Sequence, residues 1–415
     1  MRLIFVHQNF PGQYYHIIKA LSAMGGHQII GLGINPQTET LPNGVQYKRY
    51  QPKRGNTPDI HPWILDTETK CIRGEACANA AAELKQQGFE PDLICAHPGW
   101  GESLFLHDVW PQTPILSYQE FFYQAAGFDY DFDPEFRGSP LNWKQKANIQ
   151  MKSSFMRLVL ETSRWNVTPT RFQRSSFPEK WHHQISCLHD GINTVQAAPS
   201  KDSKPLILPN GRVINNDTPL VTFVNRVIEP YRGCHTFIRS IPAIQRTYSE
   251  AEIVIVGSAS GEGYGPPPKE GTWRDQFLRE INGKYNPRKV HFVGTLDHPS
   301  YLNILQKSWV HVYLTIPFVL SWSLLEAMSC GCSVVGSSTA PVQEVIQHKE
   351  NGLLSDFFDP EDLSQTVCAL LEDRQLAQML GHAARATIMQ KYSLKNCLPR
   401  QLALIELVAN GVLGC

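Results

Sequence analysis

Residues 310–346 read VHVYLTIPFVLSWSLLEAMSCGCSVVGSSTAPVQEVI. The run 310–314 is apolar and β-branched, 321–329 repeats apolar residues at helical spacing, and 332–335 returns to strand composition after a Cys-Gly-Cys break. This order is strand, bend, helix, strand, which is a βαβ element of a parallel sheet. The helix is expected to begin near residues 321–323, at the carboxyl end of a strand, where free N–H groups and the helix dipole favour a phosphate. Glu326 falls one turn inside that helix, placed to accept hydrogen bonds from a ribose.

The same alternation extends in both directions. Upstream in the second half, strands are expected at 220–224, 252–256 and 289–293, with a helix at 234–246. In the first half, strands are expected at 3–6, 27–32, 92–96, 114–118 and 166–168, with helices at 14–24, 75–87 and 143–163. Two α/β halves with parallel sheets follow. Between them, residues 198–217 shift to Pro, Ser, Lys, Asn and Asp, and Asn210-Gly211 marks a hairpin turn. The expected division is a first domain over 1–205 and a second over 206–393, with a terminal helix at about 394–415 that packs back on the first. A chain of 415 residues exceeds what one hydrophobic core organises.

Lys plus Arg and Asp plus Glu number 38 each, which excludes a large basic surface for nucleic acid and leaves room for a local anion site. The 10 cysteines include no CxxC pair, and no histidine cluster has zinc spacing, so reduced thiols and a cytoplasmic setting are expected. No apolar run is long enough to span a bilayer, and peripheral attachment to the inner membrane face stays open.

Four segments after predicted strands carry chemistry. In NRVIEPYRG, Arg226 and Arg232 face the same crevice as the Glu326 helix, where guanidiniums grip diphosphate oxygens bidentately; the plain alternative is a surface pair with Glu229. In FPGQ, Gly12 lets the backbone approach a ligand. In AHPGWG, His97 is placed to contact a sugar hydroxyl or steady positive charge. Trp100 and the aromatic segment 118–123, with Tyr118 and Glu120, offer stacking faces to an acceptor, or equally pack in the core. Asp129, Asp131 and Asp133 imitate half a calcium loop, but Pro134 and Pro140 replace its glycine and its bidentate glutamate, so a solvated acidic loop is expected. GEGYGPPP at 261–268 follows a strand without a helix in register, and reads as a flexible insertion near the nucleotide.

Taken together, HQNFPGQ, PDLICAHPGWGES, HDGIN, FVNRVIEPYRG, HFVGTLDHPSYL and the LLEAMSCG helix resemble a retaining glycosyltransferase of family 4, and most of all a bacterial subgroup of it. The resemblance covers nearly the whole chain. It implies the GT-B architecture, two Rossmann-like domains whose sheets face a central cleft. It also implies retaining, hexosyltransferase-type transfer from a nucleotide sugar to a glycan, lipid-linked or small-molecule acceptor; no cofactor is expected, and because two arginines can neutralise the diphosphate charge a divalent metal is expected to be dispensable. By resemblance, Arg226 and Arg232 stabilise the leaving diphosphate and His97 lies near the donor sugar. Gly12, Ser321, Ser323, Leu324, Thr295 and Leu296 border the donor, and Glu326 binds its ribose. The family's first motif glutamate is replaced by Phe318, which removes a usual donor-sugar contact, and Arg232 follows Arg226 by six residues where a lysine usually follows by five. A nucleotide-sugar 2-epimerase and an inactive nucleotide-sugar-binding module are the alternatives.

Overall fold

The computed structural model describes residues 1–37, 40–137, 140–200 and 204–413. Residues 201–203 of the expected junction and 414–415 of the expected terminal helix lie outside the described residues. The chain forms two compact units, Met1–Asp190 with Cys397–Cys415, and Gly191–Asn396.

In the first unit the strands are β1 (Arg2–Val6), β2 (Gln28–Gly33), β3 (Val45–Arg49), β4 (Leu93–Ala96), β5 (Ile115–Tyr118), β6 (Trp165–Thr168) and β7 (Ile185–Cys187). Among the described residues they form one sheet in the order β3-β2-β1-β4-β5-β6-β7, with parallel neighbours. Leu3, Ile4, Phe5 and Val6 are fully buried. A continuous apolar run of that kind is what a strand covered by helices on both faces requires. The terminal helix Leu394–Ala409 returns to this unit, where Leu404, Ile405 and Val408 join the core under β1 and β5.

Two antiparallel strands, β8 (Leu206–Ile207) and β9 (Val213–Ile214), flank the expected turn at Asn210 and Gly211. The second unit then continues with β10 (Leu220–Val227), β11 (Glu252–Ser258), β12 (Val290–Gly294), β13 (Val310–Tyr313), β14 (Ser333–Ser337) and β15 (Leu353–Ser355). These form a parallel sheet in the order β12-β11-β10-β13-β14-β15. Both units are therefore Rossmann-like α/β layers. In each sheet the winding direction reverses once, between β1 and β4 and between β10 and β13, and the carboxyl ends of such a strand pair open a crevice for ligands.

The structure corrects the sequence reading in several places. The first unit ends at Asp190 rather than near 205. Residues after it belong to the second core: Ile192 bridges to Ser393, Ser329 Oγ donates to the Ala197 carbonyl, and Ala197 is buried. The single helix expected at 143–163 is two helices, Trp143–Lys152 and Ser154–Thr162. Ser153 between them donates its hydroxyl to the Tyr123 carbonyl at 2.7 Å, a tertiary bond made at the break between the two helices. The acidic loop is not solvated: Asp129 and Asp133 are buried, while Phe121, Phe128 and Phe172 pack over the loop. Short carboxylates here serve turns, as when Asp131 accepts from the Gly127 N–H.

Candidate active site

In the second unit, the ladder between β10 and β11 shifts register between Val224 and Val227. Arg226 stands in that irregular stretch, inside the strand rather than in the loop after it. Such irregularities re-aim side chains at sheet ends. Arg226 is exposed and donates to the Glu262 carbonyl at 3.0 Å. Six residues on, Arg232 ends a single 3-10 turn, Pro230–Arg232, and is buried. Its Nη1 donates to Tyr313 Oη at 3.2 Å, Thr315 Oγ1 at 2.9 Å and the Val319 carbonyl at 2.9 Å. This side chain thus spans the reversal point from β10 to the end of β13. Burial disfavours its charge, but Tyr313, Tyr264 and Glu229 outweigh that and hold its pKa above the ordinary arginine value.

A cavity of about 290 Å³ lies at this point. Arg226, Arg232, Thr295, Leu296, Ser321 and Ser323, all singled out in the sequence, line it together. Ser321 caps the helix Trp322–Ser329, its Oγ accepting from the Ser323 N–H, and its own N–H donates to Tyr313 Oη at 2.9 Å. Two cationic groups and a helix start therefore converge on one volume, which is the arrangement that receives a phosphate.

Glu326 stands one turn deeper. Its carboxylate pairs with His298 Nε2 at 2.7 Å and accepts from Tyr301 Oη at 3.0 Å, and Tyr301 lines the cavity. The hydrogen bond to Glu326 raises the His298 pKa above 6.5. Leu324 does not face the cavity: its side chain is fully buried in the core, as its place on the inner helical stripe dictates.

Two features were not legible beforehand. The 261–268 segment, expected to be a loose insertion, is tied down, because Glu229 accepts from the Tyr264 and Gly265 N–H groups at 2.9 Å each. Glu229 is consequently engaged with this loop and is not the surface partner of an arginine. Tyr264 lines the cavity, with both guanidinium carbons near its ring, Arg226 at 5.0 Å and Arg232 at 5.2 Å. Phe318 is buried edge-on against Tyr231 at 5.4 Å and Tyr264 at 5.0 Å, with Arg232 at 5.9 Å from its ring. A glycine-proline run has no periodicity from which such a placement is read.

The first unit gathers its own candidates at the corresponding reversal point. His7 follows β1, His97 follows β4, and Glu120 follows β5. The His97 ring stacks on Trp100 at 4.5 Å and on Tyr118 at 5.5 Å, and meets His7 edge-on at 5.2 Å. Gly12 lies against His7: a Cβ there would fall 2.4 Å from His7 Cε1, and its φ is +52°. The glycine is thus required by the histidine, which sequence reasoning did not single out. Tyr118 is buried, with its hydroxyl donating to Asp190 at 3.0 Å, so its ring supports His97 rather than standing open. Burial holds His97 well below 6.5, with the neighbouring His7 adding to the effect, and burial lowers His7 to about 4. Each Nδ1 accepts a backbone N–H, Gly99 onto His97 and Asn9 onto His7. Both rings are therefore neutral with the proton on Nε2, and each presents a donor there. Glu120 Oε2 is 3.8 Å from His97 Nε2.

Residues 25–197 match the model of the glycosyl transferase family 4 group, and residues 208–387 that of glycosyl transferases group 1. The two halves of the chain are thus each similar to a glycosyltransferase model. Glycogen synthase of Mycobacterium tuberculosis is 25% identical to this chain over 420 aligned positions, covering 94% of this chain and 91% of that one. A phosphatidyl-myo-inositol mannosyltransferase of Propionibacterium freudenreichii is 27% identical over 187 residues, covering 44% of this chain and 43% of that protein. The match thus spans less than half the length of that relative, as it does for an uncharacterized glycosyltransferase of Methanocaldococcus jannaschii at 45%. Among solved structures, sucrose-phosphate synthase of Thermosynechococcus elongatus superimposes with a TM-score of 0.73 at 17% identity, over 99% of this chain and 100% of that one. Anabaena HepE in complex with UDP and glucose gives 0.68 at 14%, over 98% and 99%. These likenesses place the chain in the GT-B fold class.

Proposed function

We propose that the protein transfers a hexose, with retention of anomeric configuration, from a nucleoside-diphosphate sugar to a glycan, lipid-linked or small-molecule acceptor. The observation that carries this reading is the convergence of Arg226, Arg232 and the Ser321 helix cap on one 290 Å³ cavity at the β10/β13 reversal. The similarity of both halves to glycosyltransferase models supports it, and HepE, with the same fold, was crystallised with UDP and glucose.

In this reading the diphosphate lies between the guanidiniums, and the nucleoside extends past Thr295 and Leu296 toward Tyr301 and Glu326. For the ribose to reach Glu326, its hydroxyls compete with His298 for the carboxylate. As the glycosidic bond lengthens, negative charge gathers on the diphosphate, and donors already fixed in place stabilise it without reorganising. Arg232 is held by three hydrogen bonds for that task. His97, neutral with its Nε2 proton available, donates to a sugar hydroxyl, and Trp100 and Glu120 serve the acceptor side. Two arginines supply the charge that a divalent metal would otherwise bring.

The test is a thermal-shift screen of UDP-, GDP- and ADP-sugars followed by turnover with acceptors. Release of nucleoside diphosphate that depends on acceptor supports transfer. Isomerised sugar without acceptor indicates an epimerase, and donor binding with neither outcome indicates an inactive module.

A further inference from the structure

Arg226 is on the surface, and an exposed arginine samples many rotamers unless something holds it. Its guanidinium meets two groups of a single loop, the Glu262 carbonyl at 3.0 Å and the Tyr264 ring at 5.0 Å. That loop borders a second cavity of about 410 Å³, lined by Val227, Glu229, residues 259–263 and residues 265–268. Its later end is tied by Trp273 Nε1 to the Pro266 carbonyl at 3.3 Å. Its arginine-facing end is tied by Glu229, whose two carboxylate oxygens each accept one backbone N–H, from Tyr264 and Gly265, both at 2.9 Å. Glu229 is itself buried. The fit is close: a Cβ on Gly263 would fall 2.2 Å from Glu229 Oε2, so only glycine lets the loop approach this carboxylate.

We propose that Glu229 is a positioning residue for the anion pocket: by latching the loop at residues 263–265 it fixes Glu262 and Tyr264, and through them the direction of the Arg226 guanidinium. This deepens the function proposed above and rests on the pocket being a diphosphate site. A buried carboxylate bonded to two amides is a rigid anchor, and the order Glu229, loop, Arg226 converts that rigidity into a preorganised phosphate ligand. Glutamine at 229 keeps the volume but replaces one acceptor by an NH₂ that opposes an N–H, so one of the two bonds is lost.

The experiment measures binding of UDP, GDP and ADP, and of the matching monophosphates, to the full-length wild type, Glu229→Gln, Arg226→Ala and the double variant, with melting temperatures alongside. The latch predicts that E229Q weakens the preferred diphosphate about tenfold and leaves the monophosphate nearly unchanged, and that in the R226A background E229Q adds less than about twofold. Gly263→Ala, which presses a methyl group on the same carboxylate, is expected to reproduce E229Q should that variant fold poorly. Tyr264→Leu, which removes the ring beside Arg226, is expected to resemble E229Q. Full effects of E229Q added to those of R226A, or wild-type binding by E229Q while R226A is impaired, overturn the latch alone. Wild-type diphosphate binding by R226A overturns the pocket reading on which it rests.

Discussion

Arg226 and Arg232 share one aromatic ring: their guanidinium carbons lie 5.0 and 5.2 Å from the centre of Tyr264. Two like charges brought to one point repel each other, and the ring's negative face offsets part of that cost. A bound diphosphate offsets far more. The pair is thus poised for an anion, while its two members are held very differently, one exposed and one buried.

That difference predicts separate outcomes on mutation. Arg226→Ala removes an exposed side chain, so the melting temperature is expected to stay within about 1 °C while kcat/KM falls by about two orders of magnitude. Arg232→Ala removes three hydrogen bonds in a buried site, to Tyr313, Thr315 and the Val319 carbonyl, and is expected to cost about 3 kcal/mol of stability as well as activity. Denaturant unfolding and steady-state kinetics on both variants check the contrast. Equal stability losses would contradict it.

Glu326 raises the His298 pKa through their 2.7 Å hydrogen bond. The stabilisation from this raised histidine is fully present below its unfolded value of 6.5 and is lost as pH rises through the folded value. In Glu326→Gln, the His298 pKa followed by NMR is expected to fall back toward 6.5. An unmoved titration would show that the pair is not coupled.

Gly12→Ala forces a side chain into the His7 ring at a backbone φ of +52°. Strain and steric conflict act together, so a loss of about 2 kcal/mol is expected, with tryptophan fluorescence changed through Trp100, which packs on both His7 and His97. A variant as stable as wild type, with unaltered fluorescence, would mean that His7 does not dictate this glycine.

Glu102 is sealed in the first unit, and burial raises its carboxyl to about 7, against the opposing pull of Tyr50, Arg73 and Lys70. A carboxyl whose folded pKa exceeds the unfolded 4.5 stabilises the fold when protonated and costs stability as pH rises through 7. Glu102→Gln removes that cost, so its advantage over wild type is expected to grow from near zero at pH 4 to about 3 kcal/mol at pH 8. Urea titrations at the two pH values measure it, and a pH-independent difference would contradict the assignment.

The parts of the molecule that were readable beforehand are those where burial dictates composition. Strands buried on both faces need unbroken apolar runs, so β1, β10 and β13 stood out, and the residues at their carboxyl ends were found with them. Features set by single tertiary bonds were not readable. The Ser153 break depends on one distant carbonyl, and residues 191–199 carry no periodicity to show which core they join. Leu324 was chosen for its place in a motif, whereas its side chain follows the apolar stripe inward. Tyr264 was passed over because a Gly-Pro segment has no period, and its position is set by Glu229, 35 residues earlier.

The central claim is that the β10/β13 pocket recognises a diphosphate through Arg226 and Arg232. Calorimetric titration of wild type and Arg226→Ala with UDP and UMP, GDP and GMP, and ADP and AMP tests it most directly. One wild-type pair is expected to show the diphosphate binding at least about tenfold tighter than its monophosphate, with that preference largely abolished in Arg226→Ala. A preference of undiminished size in the variant would place the diphosphate elsewhere and contradict the account.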